Sequence, residues 1–302
     1  MTATYRTRPI KRPRRTKDEI MNIKSAIYNL LAAEHPMTVR QVFYRMVSAG
    51  VVDKTEAQYK STVCRLLTEM RLQHSEDEVE LLLSSSPSPT IPYGWRADNT
   101  RWMRKPVTFS GTDAALRRTA ELYRRNLWDD ADAYVEVWLE KESLAGVLIS
   151  ETVEYDVPLM VTRGYPSLSF VAEAAKVIGN KDKPAFLYYF GDRDPSGVDI
   201  PRHIEERLAE LAPWAEIHFE KIAVTTEQIE TLGLPTRPTK KSDTRSKTFV
   251  GESVEVDAIP PSTLREMVRD CIEHHIDHQR LAVLQEVERS ERELLLEIAG
   301  MP

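Results

Sequence analysis

Two aspartates, Asp192 and Asp194, stand in the turn Asp192-Arg193-Asp194-Pro195-Ser196-Gly197, directly after the apolar run Ala185-Phe186-Leu187-Tyr188-Tyr189-Phe190-Gly191. Carboxylates leaving the end of a buried strand are badly placed for packing and well placed to hold a divalent cation. Hard carboxylate oxygens suit Mg²⁺, which takes one or two of them and fills its shell with water and substrate phosphate. Such an ion stabilises charge on a phosphate undergoing displacement. Turn capping explains an acidic turn equally well. A second apolar run ends in acid at Trp138-Leu139-Glu140-Lys141-Glu142. Glu140 alone reads as a solvated strand end. Together the two runs point to metal, because open parallel sheets gather their functional groups beyond the carboxyl ends of the strands.

Tyr44 is the candidate nucleophile. It lies off the apolar stripe Val39, Val42, Phe43, Met46 and Val47, and the four-residue spacing from Arg40 puts both on one helical face. A phenol titrates near ~10 and attacks poorly at neutral pH. A neighbouring guanidinium favours the phenolate and can hold a phosphate oxygen. A tyrosine so placed is able to attack a phosphodiester and form a phosphotyrosyl link. The plainer reading is a half-buried tyrosine at the edge of a core.

The elements that must position these groups follow from periodicity. Helices are predicted over 18–34, from Thr38 to Gly50, and over 56–71. Thr38 and Gln41 have the spacing of a capping box. Pro92-Tyr93-Gly94-Trp95 would supply the wing of a winged helix-turn-helix. From residue 133 the pattern changes to strands at 134–140, 158–163, 185–190 and 216–224, alternating with helices at 143–152, 167–178 and 199–211. That alternation implies a parallel sheet. Residues 262–298 read as helical again.

Charge divides the chain. Residues 1–128 hold 22 Lys/Arg and 13 Asp/Glu, a net charge of +9; the remainder is −15, and the whole is −6. A basic half joined to an acidic half suggests that one end meets a polyanion. Residues 1–17 carry seven Lys/Arg and read as a flexible basic arm. Lys60, Arg65 and Arg71 are left for solvent or DNA. Lys141 and Arg193 are candidates for DNA contact, with solvent exposure explaining them equally well; Arg237, Lys240, Lys241, Arg245 and Lys247 are candidates for contact with the DNA backbone, with a mobile charged loop as the plainer reading. The sequence shows no secretory signal and no membrane-length apolar run, and its two cysteines, Cys64 and Cys271, lack metal-ligand spacing. A cytoplasmic, DNA-associated protein is expected, organised as the arm, a DNA-binding domain at 18–128 and a metal-binding domain at 129–302.

Thr38-Val39-Arg40-Gln41-Val42-Phe43-Tyr44 resembles the Thr-x-Arg-x-x-Tyr-Tyr motif of the topoisomerase VI A subunit and the meiotic double-strand-break transesterase, with Phe43 in place of the first tyrosine. Trp138-Leu139-Glu140-Lys141-Glu142 and Gly191-Asp192-Arg193-Asp194-Pro195-Ser196-Gly197 resemble the two acidic motifs of the Toprim domain. Gly164-Tyr165-Pro166-Ser167 is similar to the Gly-x-Pro-Asp turn of that family, with Ser167 where aspartate is usual. Glu255-Val256-Asp257-Ala258-Ile259 resembles a late acidic segment. The resemblance spans roughly residues 20–298 in the order of the family, and the length is similar to compact mini-A variants. It implies an α/β plus α architecture, a winged helix-turn-helix followed by a Toprim-type parallel α/β domain.

The implied activity is that of a type IIB topoisomerase A subunit: Mg²⁺-dependent cleavage of duplex DNA, with Tyr44 as nucleophile, Arg40 on the phosphate, and Glu140, Asp192 and Asp194 on the metal. A homodimer is implied, the tyrosine of one subunit serving the acids of the other. No P-loop appears, so ATP use belongs to a separate B-type ATPase subunit. Two readings compete: a Toprim nuclease in which Tyr44 only packs, and a non-catalytic DNA-binding regulator.

Overall fold

Four apolar runs pair as one all-parallel sheet, ordered β2-β1-β3-β4, from β1 (Tyr134–Leu139), β2 (Leu159–Val161), β3 (Ala185–Phe190) and β4 (Ile217–Ala223). The structure is a computed structural model and describes residues 15–72, 89–92, 95, 106–238, 249 and 251–300. The strands match the expected positions to within two residues at each end. Because β2 lies on one side of β1 while β3 and β4 lie on the other, the strand order reverses between β1 and β3. The crevice beyond the carboxyl ends of those two strands is the place where open α/β sheets take their ligands.

Both faces of the sheet are covered, which is why the central strands read as continuous apolar runs rather than as alternation. On one face Trp138, Leu187 and Tyr189 pack with Val171, Ala174 and Ile178 of α7 (Leu168–Gly179) and Ile200, Ile204 and Leu208 of α8 (Pro195–Leu211). On the other, Val135, Val137, Leu139 and Phe190 pack with Val147 and Leu148 of α6 (Ala145–Glu154) and, beyond the short α9 (Thr226–Thr231) in the chain, with Leu264, Val268 and Ile272 of α10 (Pro261–Glu273). Residues 262–298 are helical, as expected, in two pieces: α10 stops and α11 (His278–Ile298) restarts with Asp277 as its cap. α11 packs on α5 (Thr112–Leu122), with Tyr123 donating to Glu291 at 2.7 Å, so α5 associates with the C-terminal part of the chain.

The N-terminal helices are α1 (Lys17–Glu34), α2 (Val39–Ser48) and a third that begins as α3 (Glu56–Gln58), passes through a π-helical turn (Tyr59–Cys64) and ends as α4 (Arg65–Leu72). The capping box at Thr38 forms as expected, the hydroxyl accepting from Gln41 N–H at 3.0 Å and the Gln41 side chain accepting from Thr38 N–H at 2.9 Å. Gly50 terminates the helix with φ +68°, a conformation that glycine adopts without steric cost. Arg15 and Lys17 do not belong to a loose arm: Arg15 donates to Thr62 and Gln58, and Lys17 opens α1. Residues 1–14 of the expected arm lie outside the described residues. So do Tyr93 and Gly94 of the expected wing; around them Ile91 N–H bonds Met70 O and Met37 N–H bonds Trp95 O, and no strand forms there among the described residues. The apolar residues of these helices, including Ile27, Leu31, Val42, Phe43, Leu66 and Leu67, join the same core as Leu139 and Phe190.

One acid is buried inside the sheet. Glu136 on β1 is 1% exposed, and its two oxygens accept from Tyr134 Oη (2.8 Å) and Trp138 Nε1 (2.7 Å). Burial raises its pKa against the pull of those two donors. A carboxyl whose folded pKa exceeds its unfolded value contributes stability at low pH and loses that contribution as pH rises through the folded pKa. Glu136→Gln keeps an acceptor for the indole and removes the charge. Its melting temperature is expected to exceed that of the parent at pH 8, with the gain fading toward pH 4; thermal unfolding at both values tests this.

Candidate active site

The register of β1 on β3 sets Leu139 beside Phe190, and the ladder continues one step, with Glu140 N–H bonded to Phe190 O at 2.9 Å. The carboxyl group of Glu140 then folds back over the start of the acidic turn. Its Oε2 accepts from Asp192 N–H at 2.9 Å and from Tyr189 Oη at 3.3 Å. Residue 191 must be glycine for this, because a Cβ there would lie 2.5 Å from Glu140 Oε2. Glu140 and Asp192 are thus brought together across the crevice.

Asp192 is 7% exposed, and its Oδ1 accepts from Val256 N–H at 2.9 Å and faces Lys141 Nζ at 3.1 Å. Burial, aided by the nearby Glu140, pushes its pKa up to about 7 although Lys141 and the Val256 amide oppose the shift. Asp194 sits a step further on as the cap of α8, accepting from Gly197 N–H at 2.8 Å. It therefore has the capping role weighed for it, with one oxygen to spare. Among the described residues Glu140 Oε1, Asp192 Oδ2 and Asp194 Oδ2 have no hydrogen bond, and none is sealed from solvent. No three His, Cys, Asp or Glu side chains among the described residues form a ready-made metal cage. Mg²⁺ needs no such cage, since it keeps several waters. Glu140 and Asp192, each with an open oxygen, are a donor pair that fits it.

Lys141 does not point toward a ligand in solvent, as expected for a DNA contact. Its ammonium lies within 3.1 Å of Asp192 and Glu255 and 2.8 Å from Asp257. Burial lowers its pKa, but Asp257, Asp192 and Glu255 together outweigh burial and hold it above the ordinary lysine value. Glu255 also pairs with Arg237 at 2.9 Å and with Arg40 at 3.7 Å, and Thr38 Oγ1 donates to Asp257 at 3.2 Å. Arg237 is therefore paired internally with Glu255. Arg193 N–H and C=O pair with Val254, and its guanidinium lies 5.5 Å from the Phe249 ring. Lys240, Lys241, Arg245 and Lys247 lie outside the described residues.

Tyr44 departs from its expected setting. It is 4% exposed, because the face that lies off the stripe of its own helix is covered by the C-terminal segment around Glu255. Burial raises its pKa, Glu255 adds to the rise, and the cations Arg40, Lys141 and Arg237 offset only part of it. Arg40 does favour the phenolate, as expected, but desolvation outweighs it. The Arg40 guanidinium stacks 4.2 Å from the centre of the Tyr59 ring and pairs with Glu255 and Glu56. The Tyr44 hydroxyl has no hydrogen bond among the described residues; Lys54 Nζ lies 5.6 Å from its ring.

Ser167, the departure from the Gly-x-Pro-Asp pattern, caps α7 by accepting from Phe170 N–H at 3.3 Å, the same service an aspartate would give. Gly164 precedes it with φ +87°. Glu255 and Asp257 carried no chemical role in the sequence reading beyond a resemblance; an acid pair flanked by apolar residues was the available signal. No protein-family model matches the chain, and no curated protein matches it.

Removing the Lys141 cation leaves three carboxylates facing one another with little water. Lys141→Met is expected to cost about 3–5 kcal/mol in urea unfolding. Adding Asp257→Asn should recover part of that loss, whereas an equal loss in the double variant would show the pairing to be unimportant.

Proposed function

We propose that this chain cleaves duplex DNA with Mg²⁺ at the Glu140–Asp192–Asp194 edge, as a Toprim-type enzyme similar to the topoisomerase VI A subunit. The observation that carries this reading is the convergence of Glu140 and Asp192 at the switch point of a parallel sheet, each with an oxygen free to ligate. Bound there, the ion supplies charge stabilisation to a phosphate under attack. Glu140 and Asp192 hold it, and Asp194 offers the oxygen that capping leaves over. Lys141 and the Val256 amide fix the orientation of Asp192. The basic N-terminal helices, read as a winged helix-turn-helix, bring the DNA through exposed cations such as Lys60 and Arg65, whose ion pairs among the described residues are with Glu56 and Glu69 on the same helix.

In this conformation water is the better nucleophile, because the Tyr44 phenol is buried and shifted away from the phenolate. This favours hydrolytic cleavage. A second reading has its own support: the Tyr44 hydroxyl lacks a hydrogen-bond partner among the described residues and lies within electrostatic reach of Arg40, Lys141 and Arg237. If α2 swings off the 253–258 segment, Tyr44 attacks phosphorus, the 3′ oxygen leaves, and a 5′-phosphotyrosyl bond remains. A homodimer would pair that tyrosine with the acids of the second copy, and strand passage would require a separate ATPase subunit.

The test is incubation with Mg²⁺ and labelled supercoiled DNA followed by detergent denaturation. Cleavage that persists in Tyr44→Phe and disappears in Asp192→Ala is the expected outcome for the hydrolytic form. A covalent adduct lost in Tyr44→Phe establishes the transesterase instead. DNA that is retarded in a gel but never cut sinks both and leaves a binding regulator.

A further inference from the structure

α8 contains a proline at its seventh position, Pro201, which lacks the N–H that would bond the carbonyl of Gly197 four residues earlier. Gly197 is buried, and a buried carbonyl without a donor is costly. The missing donor comes from another strand. Lys221 on β4 places its Nζ 2.8 Å from Gly197 O and 2.8 Å from Asp192 O. These two carbonyls are the ends of the acidic turn. They lie so close to one another's residues that a Cβ on Gly197 would come within 2.1 Å of Asp192 O. Between them Asp194 closes the turn onto Gly197 N–H.

We infer that Lys221 is a positioning residue for the metal-binding turn: its ammonium clasps the carbonyls at 192 and 197 and thereby sets Asp192 and Asp194 relative to Glu140. Register supports this, since Lys221 pairs with Tyr189, three residues before Asp192. Burial draws the Lys221 pKa down to about 8, against the pull of Glu140. The inference rests on the proposed metal site, and it separates from a purely helical role through Pro201. In Lys221→Met both carbonyls lose their donor. Adding Pro201→Ala returns an N–H to Gly197 O and repairs the helix, while Asp192 O stays without a donor.

Mg²⁺ titration calorimetry, thermal unfolding and amide hydrogen exchange on the full chain give the three readouts. Lys221→Met is expected to weaken Mg²⁺ binding by about 10–100-fold, the usual effect of losing a partner that orients a ligand. The Lys221→Met/Pro201→Ala variant should regain melting temperature without regaining Mg²⁺ affinity, and amides of 192–197 should exchange at least ~10-fold faster than in the parent. Lys221→Arg, which keeps donors, should restore part of the affinity. Mg²⁺ affinity that returns with Pro201→Ala, or that never changes, overturns the inference. If the parent protein binds no Mg²⁺, or binds it equally well as Asp192→Asn, the metal reading fails. The exchange rates then decide the positioning role alone: faster exchange in the double variant upholds it, and unchanged exchange removes it.

Discussion

One ammonium group ties the molecule together. Lys141 follows Glu140 directly, so its backbone belongs to the carboxyl edge of the sheet, yet its side chain gathers Asp192, Glu255 and Asp257 from two other places in the chain. Each of those acids has a second duty. Asp192 faces the crevice, Glu255 holds Arg40 and Arg237, and Asp257 receives Thr38 at the start of α2. Like charges packed this closely would repel without a cation among them, and the desolvation of each makes the pairing obligatory rather than optional. The arrangement accordingly couples the helical part of the chain to the acidic crevice through electrostatics as well as through the shared apolar core.

Much of the fold was legible because it depends on local signals. The capping box at Thr38, the glycine stop at Gly50 and the four apolar runs of the sheet each act over a few residues, and all appear where the pattern puts them. α8 begins at Pro195 rather than near 199, since Asp194 and Pro195 together make a strong helix start that an acidic turn in sequence conceals. The pairing of Glu140 with Asp192 was also accessible, because adjacent parallel strands of matched register bring their ends together.

The environment of Tyr44 was not legible, for a physical reason. A helical wheel tells which face of α2 is apolar, but it cannot tell that the polar face is covered by residues two hundred positions away. Arg40 and Tyr44 do share a face, as their spacing requires, and that face is an internal contact instead of an open surface. Likewise the ion pairs of Lys141 and Arg237 were not legible, because a cation in isolation carries no sign of its partner. Lys221 gave a faint sign, as one of two consecutive charged residues inside a strand, and the proline four residues after Gly197 gave another.

The Thr38 hydroxyl accepts from the Gln41 amide and donates to Asp257, residues 219 positions apart in the second case. A single atom therefore completes a local helix start and a contact of very high sequence separation. Such contacts form late, after the entropy of closing a long loop has been met. During synthesis α2 can acquire its cap early, but the segment that meets it emerges some two hundred residues later. Until then the face of α2 that meets it stays uncovered. A truncation after the sheet would strand the N-terminal helices without the surface that covers α2.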